Sequence, residues 1–203
     1  MKLYYSPASP FARKVLIALR ETNLLDQVEM VPVAITPLNP GDILPNQNPL
    51  GKIPCLELAD GNALYDSRVI TRYISSLAPA TNLYPDDDTL WDALTLEATA
   101  DGIMDAAVTI TYERRLRSEE MVFETFLEEQ WQKIDRALSS IENRWMPQLN
   151  EQKSMPILAV AAALGYLDFR HDAKNWRATH PDLAAWEAEI RERPSLQATA
   201  PDA

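Results

Sequence analysis

The sequence predicts an α/β domain followed by an all-helical domain. Three observations carry this. Short strand-like runs alternate with helical patterns up to residue 78, no strand pattern appears after residue 85, and prolines 79 and 85 punctuate the stretch between. The expected organisation is residues 1–78 for the α/β domain, 79–85 for a linker and 86–203 for the helical domain.

Lys2 to Tyr5 reads as a short strand, followed by the turn Ser6-Pro7-Ala8. Ser9-Pro10 has the form of a helix start, with serine as N-cap and proline at the first helical position. Phe11, Val15, Ala18 and Leu19 recur at helical spacing, and Arg13, Lys14, Arg20 and Glu21 are expected to face elsewhere. Val28 to Val33 is a second strand. Residues 36–50 carry four prolines and predict a loop with at most a short, irregular helix. Cys55 to Leu58 and Ala63 to Tyr65 form two further strands around the turn Asp60-Gly61-Asn62. Asp66-Ser67 then caps a helix with Val69, Ile70, Tyr73, Ile74 and Leu77 on one side. The order β-α-β-irregular-β-β-α suits a parallel pair with a crossover helix, then an antiparallel hairpin.

Past the linker, Asp86 to Leu116 predicts one long helix, or two with a bend near Gly102. Glu119 to Trp145 predicts another, with Phe123, Leu127, Trp131, Ile134, Leu138, Ile141 and Trp145 stepping by three or four. Ile157 to Phe169 is nearly all apolar, the pattern of a helix buried all round. Leu183, Trp186 and Ile190 mark a last amphipathic helix.

Composition removes several function classes. A net charge of −11 repels phosphate backbones, so nucleic acid is not an expected partner. No apolar run approaches the ~18 residues of a membrane span. The polar start at Met1-Lys2, with Pro7 close behind, does not read as a signal peptide, so a cytoplasmic protein is expected. One cysteine, Cys55, excludes an internal disulfide and Cys-x-x-Cys chemistry. Its own expected role is a small buried hydrophobe. With two histidines, His171 and His180, read as surface or capping residues, no metal site is expected.

Four motifs carry a family resemblance. Tyr4-Tyr5-Ser6-Pro7-Ala8-Ser9-Pro10-Phe11-Ala12-Arg13-Lys14, Asn48-Pro49-Leu50-Gly51-Lys52-Ile53-Pro54 and Leu64-Tyr65-Asp66-Ser67-Arg68-Val69-Ile70 resemble the glutathione-site motifs of bacterial glutathione transferases. Ala162 to Arg170 is similar to the buried C-terminal helix of their YibF-like subgroup. The resemblance runs nearly end to end. It implies a thioredoxin-like N-terminal domain, an all-α C-terminal domain, a homodimer, and glutathione as co-substrate with no metal. In many members the buried helix opens with Ser/Thr-x-x-Asp; here Ser154-Met155-Pro156-Ile157 keeps the serine and loses the acid.

The same resemblance implies roles for single residues. Ser9 would stabilise the glutathione thiolate, with Ser6 as the alternative and a bare N-cap as the structural reading of Ser9. Serine and alanine replace both cysteines of the glutaredoxin-like Cys-Pro-x-Cys, which argues against exchange through an enzyme thiolate. Pro54 would be cis, letting Ile53 pair with the cysteinyl backbone. Asp66 and Ser67 would hold the γ-glutamyl end, and Lys52 the glycyl carboxylate. Asp101, Asp105, Val108 and Tyr112 share one helix face; with Phe11, the last three would border the second-substrate site, the alternative being a solvated face or a subunit contact. The reading that follows is conjugation of glutathione to a small hydrophobic electrophile, in detoxification. The alternatives are a glutathione-dependent peroxidase or isomerase, and a non-catalytic partner-binding protein of the stringent-starvation-protein kind.

Overall fold

The computed structural model describes residues 1–41, 44–150 and 154–201. Strand β1, Lys2–Tyr5, enters helix α1, Pro10–Glu21, through a turn in which the Ser9 N–H donates to Ser6 C=O. Ser9 is the N-cap, with extended φ and ψ, and its Oγ accepts from the Ala12 N–H at 3.2 Å. Pro10 sits at N1, where its missing N–H costs nothing. Strand β2, Glu29–Pro32, returns parallel to β1 with Met30 opposite Leu3. The loop with four prolines holds a single short helix, α2, Leu44–Gln47; its residues 42 and 43 lie outside those described.

Strand β3, Cys55–Glu57, runs antiparallel to β1 and pairs with β4, Ala63–Leu64. The sheet order is β2-β1-β3-β4, with the parallel pair and the antiparallel hairpin as predicted. Strand ends fall a residue or two short of expectation. The Leu58 N–H, for instance, donates to Asn62 C=O and so belongs to the hairpin turn. Helix α3, Ser67–Leu77, starts from the N-cap Asp66, whose Oδ1 accepts from the Arg68 N–H at 3.0 Å.

Helix α4, Leu90–Leu116, is a single helix. Gly102 is exposed with open space around it, so nothing there forces a bend. The expected helix 119–145 is broken at both ends. A 3₁₀ turn at Glu119–Met121 precedes α5, Glu124–Ser140, and a π turn at Ile141–Trp145 leads into α6, Met146–Leu149. Phe123 precedes α5 and is 63% exposed, so it leaves the buried stripe that Leu127, Trp131, Ile134 and Leu138 keep. Helix α7, Met155–His171, is buried on nearly every side. Ser154 makes no side-chain cap bond to it, and the Met155 N–H donates instead to Leu83 C=O at 2.7 Å. Helices α8, Pro181–Ile190, and α9, Pro194–Gln197, close the chain.

One apolar cluster runs from Leu3, Ile17 and Leu56 of the sheet region through Ile74 and Leu83 to Met104 and Leu164. That continuity corrects two expectations. Arg13 and Lys14 do not face solvent: α4, α7 and α9 pack on α1 and leave Lys14 fully buried and Arg13 8% exposed. His180 is also buried, with Nε2 3.2 Å from Asp135 and Nδ1 3.4 Å from Glu142. The other Glu142 oxygen accepts from the Asp182 and Leu183 N–H groups, capping α8 from α5's continuation.

His171 is half-buried against Trp131 and Tyr166, with Nε2 2.9 Å from Ala107 C=O. Burial holds its pKa below the ordinary 6.5, and the carbonyl only partly opposes this. The folded value lies below the unfolded one, so its contribution to stability is complete above 6.5 and is lost as pH falls through the folded value. Melting temperature followed from about pH 8 to about pH 5 should therefore fall less steeply in His171→Gln than in the wild type.

Candidate functional site

Three pieces of backbone carry the residues to which the resemblance points: the start of α1, the loop before β3 and the start of α3. At the first, the Ser9 oxygen is used as a cap acceptor, while its O–H proton remains free to donate. Capping and donation to a ligand are thus compatible. Ser6 is half-buried in the preceding turn. Helix α1 carries no acidic residue at its cap or in its first turn, so its N-terminal dipole is uncompensated, whereas the Asp66 carboxylate caps α3.

In the second piece, the Ile53–Pro54 peptide is cis. Asn48, 1% exposed, holds the loop: its Nδ2 donates to Lys52 C=O at 2.8 Å and its Oδ1 accepts from the Leu50 N–H at 3.0 Å. Gly51 has φ +61°, and a Cβ there would stand 2.6 Å from Pro40 Cβ, so only glycine fits. Among the described residues, the Ile53 N–H and C=O have no hydrogen-bond partner. Asn48 opens the sequence motif of residues 48–54, and the fold makes it the brace of this loop. Lys52 is exposed.

At the third, the Tyr65–Asp66 peptide is also cis. Ser67 is 2% exposed, and its hydroxyl makes no hydrogen bond among the described residues. Asp66 is exposed at the helix start. Behind these residues lies a cluster of charges. Lys14 Nζ donates to Glu97 Oε1 at 2.9 Å and to Asp101 Oδ1 at 2.8 Å. Arg68 Nε donates to Asp101 Oδ2 at 2.7 Å. The Tyr84 hydroxyl stands 3.0 Å from both Glu97 oxygens, and burial with that carboxylate pushes its pKa up. Two cations meet two carboxylates.

Asp101 therefore leaves the helix face on which it was placed with Asp105, Val108 and Tyr112: it is 1% exposed and turned inward to Lys14. Asp105 stays at the surface. Burial of part of its carboxyl and the charge of Asp101 push its pKa up, while Arg68 and Lys52 pull it down, which puts it in one field with the start of α3 and the loop lysine. Val108, Tyr112 and Phe11 are half-buried. Tyr112 acts electrostatically on Tyr166, which lines a cavity of about 10 Å³ with Ser9, Arg13 and Pro201. Cys55 is fully buried, and burial, with Glu57, pushes its thiol up to about 11, too high for a thiolate nucleophile.

Removing Lys14 would leave two buried carboxylates with only Arg68 to answer them. Breaking one partner out of a buried ion cluster costs about 3–5 kcal/mol. Lys14→Met should lower unfolding free energy by that amount in urea titrations; a loss under about 1 kcal/mol would match a solvated pair instead.

The chain matches known proteins along its length. Residues 8–77 fit the family model of the glutathione S-transferase N-terminal domain. The chain is 32% identical to the uncharacterized GST-like protein YibF of Escherichia coli K12, covering 99% of this chain and 98% of that protein. It is similar to the crystal structure of a glutathione transferase family member from Pseudomonas fluorescens Pf-5 with bound glutathione. The identity is 45%, the TM-score 0.98, and the coverage 100% of this chain and 99% of the other. A glutathione S-transferase from Methylobacillus flagellatus KT, also with glutathione bound, superposes with TM-score 0.88 at 39% identity and 99% coverage of both chains.

Proposed function

The chain belongs to the glutathione S-transferase family, and on that premise we propose that it binds glutathione and conjugates its thiolate to a small hydrophobic electrophile. The observation that carries the binding half is Ser67, a nearly buried residue at the start of α3 beside Asp66 whose hydroxyl has no hydrogen bond among the described residues. In this reading Ser67 and the α3 amides take the γ-glutamyl carboxylate, and Asp66 takes the ammonium. The free N–H and C=O of Ile53 pair with the cysteinyl backbone as an added strand would. Lys52 meets the glycyl carboxylate. The sulfur then lies at the start of α1, where the Ser9 hydroxyl donates to it and the helix dipole favours its ionised form. Phe11, Asp105, Val108 and Tyr112 border the electrophile.

Conjugation is favoured over disulfide exchange because residue 9 is serine and the one cysteine is buried with a raised pKa. A panel of electrophiles and hydroperoxides separates transferase from peroxidase or isomerase. A protein that only binds partners would pass through a glutathione-affinity column unretained.

Two variants separate the two ends of the site. Ser67→Ala should weaken glutathione binding by about 1.5–3 kcal/mol in calorimetry, the usual worth of a hydrogen bond to a charged group. Ser9→Ala should leave affinity nearly intact, lower turnover and move the pH–rate profile upward. Unchanged affinity in the first, or an unchanged pH profile in the second, would remove that residue from the assignment.

We also propose a homodimer. Leu50, Val69, Leu77 and Trp91 expose 65%, 46%, 43% and 73% of their surface, on the loop before β3, on α3 and at the start of α4. The homodimer follows the family resemblance, and these side chains are the ones whose burial it would require if they form one patch. Sedimentation at micromolar concentration should give twice the chain mass of 22.9 kDa, and Trp91→Glu should shift the species towards the monomer.

A further inference from the structure

Arg13 stands out among the buried polar groups. It is 8% exposed, and of its guanidinium nitrogens only Nη2 has a partner, donating to Leu196 C=O at 3.2 Å. Nε and Nη1 are buried without a hydrogen bond. Helix α7 presents Gly165 to this group, and a Cβ there would fall on Nη1, so the guanidinium lies against bare backbone. Among the described residues no carboxylate touches it. Asp168 and Glu187 act on it only from a distance, and both are already engaged by Arg177. A buried guanidinium keeps its proton, so a fixed positive charge sits here without a contacting anion.

Its place in the fold connects that charge to Ser9. Arg13 leaves α1 one helical turn past the N-cap, and its side chain lines the same small cavity as Ser9 and Tyr166. The charge adds to the uncompensated dipole at the start of α1. A neutral thiol there would gain nothing from this field, whereas a thiolate would.

We propose that Arg13 is a positioning residue for the thiolate, whose unneutralised charge one turn beyond Ser9 favours ionisation of a thiol held at the start of α1. The inference rests on the glutathione reading above. The step is ionisation alone: the S–H bond breaks, the electron pair stays on sulfur, and the proton passes to solvent. Ser9 supplies the hydrogen bond and Arg13 the field. An opposite charge within about 4–6 Å lowers an acid's pKa by about one to three units, and a more distant one by less. Asp168 and Glu187 oppose the effect from α7 and α8, and Arg177 offsets them.

The test is the pH titration of thiolate absorbance in the glutathione-saturated protein, for wild type, Arg13→Met and Arg13→Lys, after calorimetry has established binding. Arg13→Met should raise the bound thiol's pKa by about one unit with glutathione affinity little changed, and Arg13→Lys should recover most of the shift. A purely structural arginine would lower the melting temperature in both variants and leave the titrations superimposed, which would overturn the proposal. Should Arg13→Met fail to fold, Gly165→Ala displaces the guanidinium without removing it; an unmoved thiol pKa there would overturn it equally. Absence of glutathione binding in the wild type is a different failure, since it removes the glutathione reading itself.

Discussion

Lys14 is wholly buried, and it ties α1 to two acids one turn apart on α4. Taking these charges out of water is costly, and their attraction repays the cost only when every donor and acceptor is met. Here each is: Asp101 also takes Arg68 from α3, and Glu97 also faces Tyr84, which in turn contacts Thr71 of α3. An apolar replacement of the same volume could match the stability, but it would tolerate many arrangements where this cluster tolerates one. The cluster therefore ties α1 and α3, which also pack directly on each other, to the same two acids of α4.

That constraint reaches the site directly. Ser9 begins the helix that carries Lys14, and Ser67 precedes Arg68 by one residue. The two helix starts that would hold opposite ends of one tripeptide are fixed by charges a turn or less further along. A short side-chain hydroxyl has little reach, so its usefulness depends on where the helix puts it. The charge of Arg13 is of the opposite kind: among the described residues its Nε and Nη1 have no partner, and its proposed role is toward an anion near Ser9.

Much of this was legible in the sequence because it is local. Ser9-Pro10 and Asp66-Ser67 are cap signals, and both helices begin there. The parallel pair and the antiparallel hairpin followed from short runs around turns, though not the order in which they join, and α7 from its nearly all-apolar composition. What escaped is long-range. Lys14 and Arg13 look like the polar face of an amphipathic helix, since the carboxylates that answer Lys14 lie 83 and 87 positions away and the carbonyl that meets Arg13 lies 183 away. His180 was misplaced at the surface for the same reason, with Asp135 and Glu142 some forty positions earlier. Asp101 shares a helical face with Asp105 by spacing, yet one is inside and the other outside, because α1 and α3 cover only the first.

The central claim is that the starts of α1 and α3 hold the two ends of a single glutathione. A crystal structure of this protein with glutathione tests it most directly. The account predicts the sulfur within hydrogen-bond distance of Ser9 Oγ and the γ-glutamyl carboxylate on Ser67 Oγ, with the cysteinyl backbone paired to Ile53. Sulfur at Ser6, or glutathione bound away from the start of α3, would contradict it.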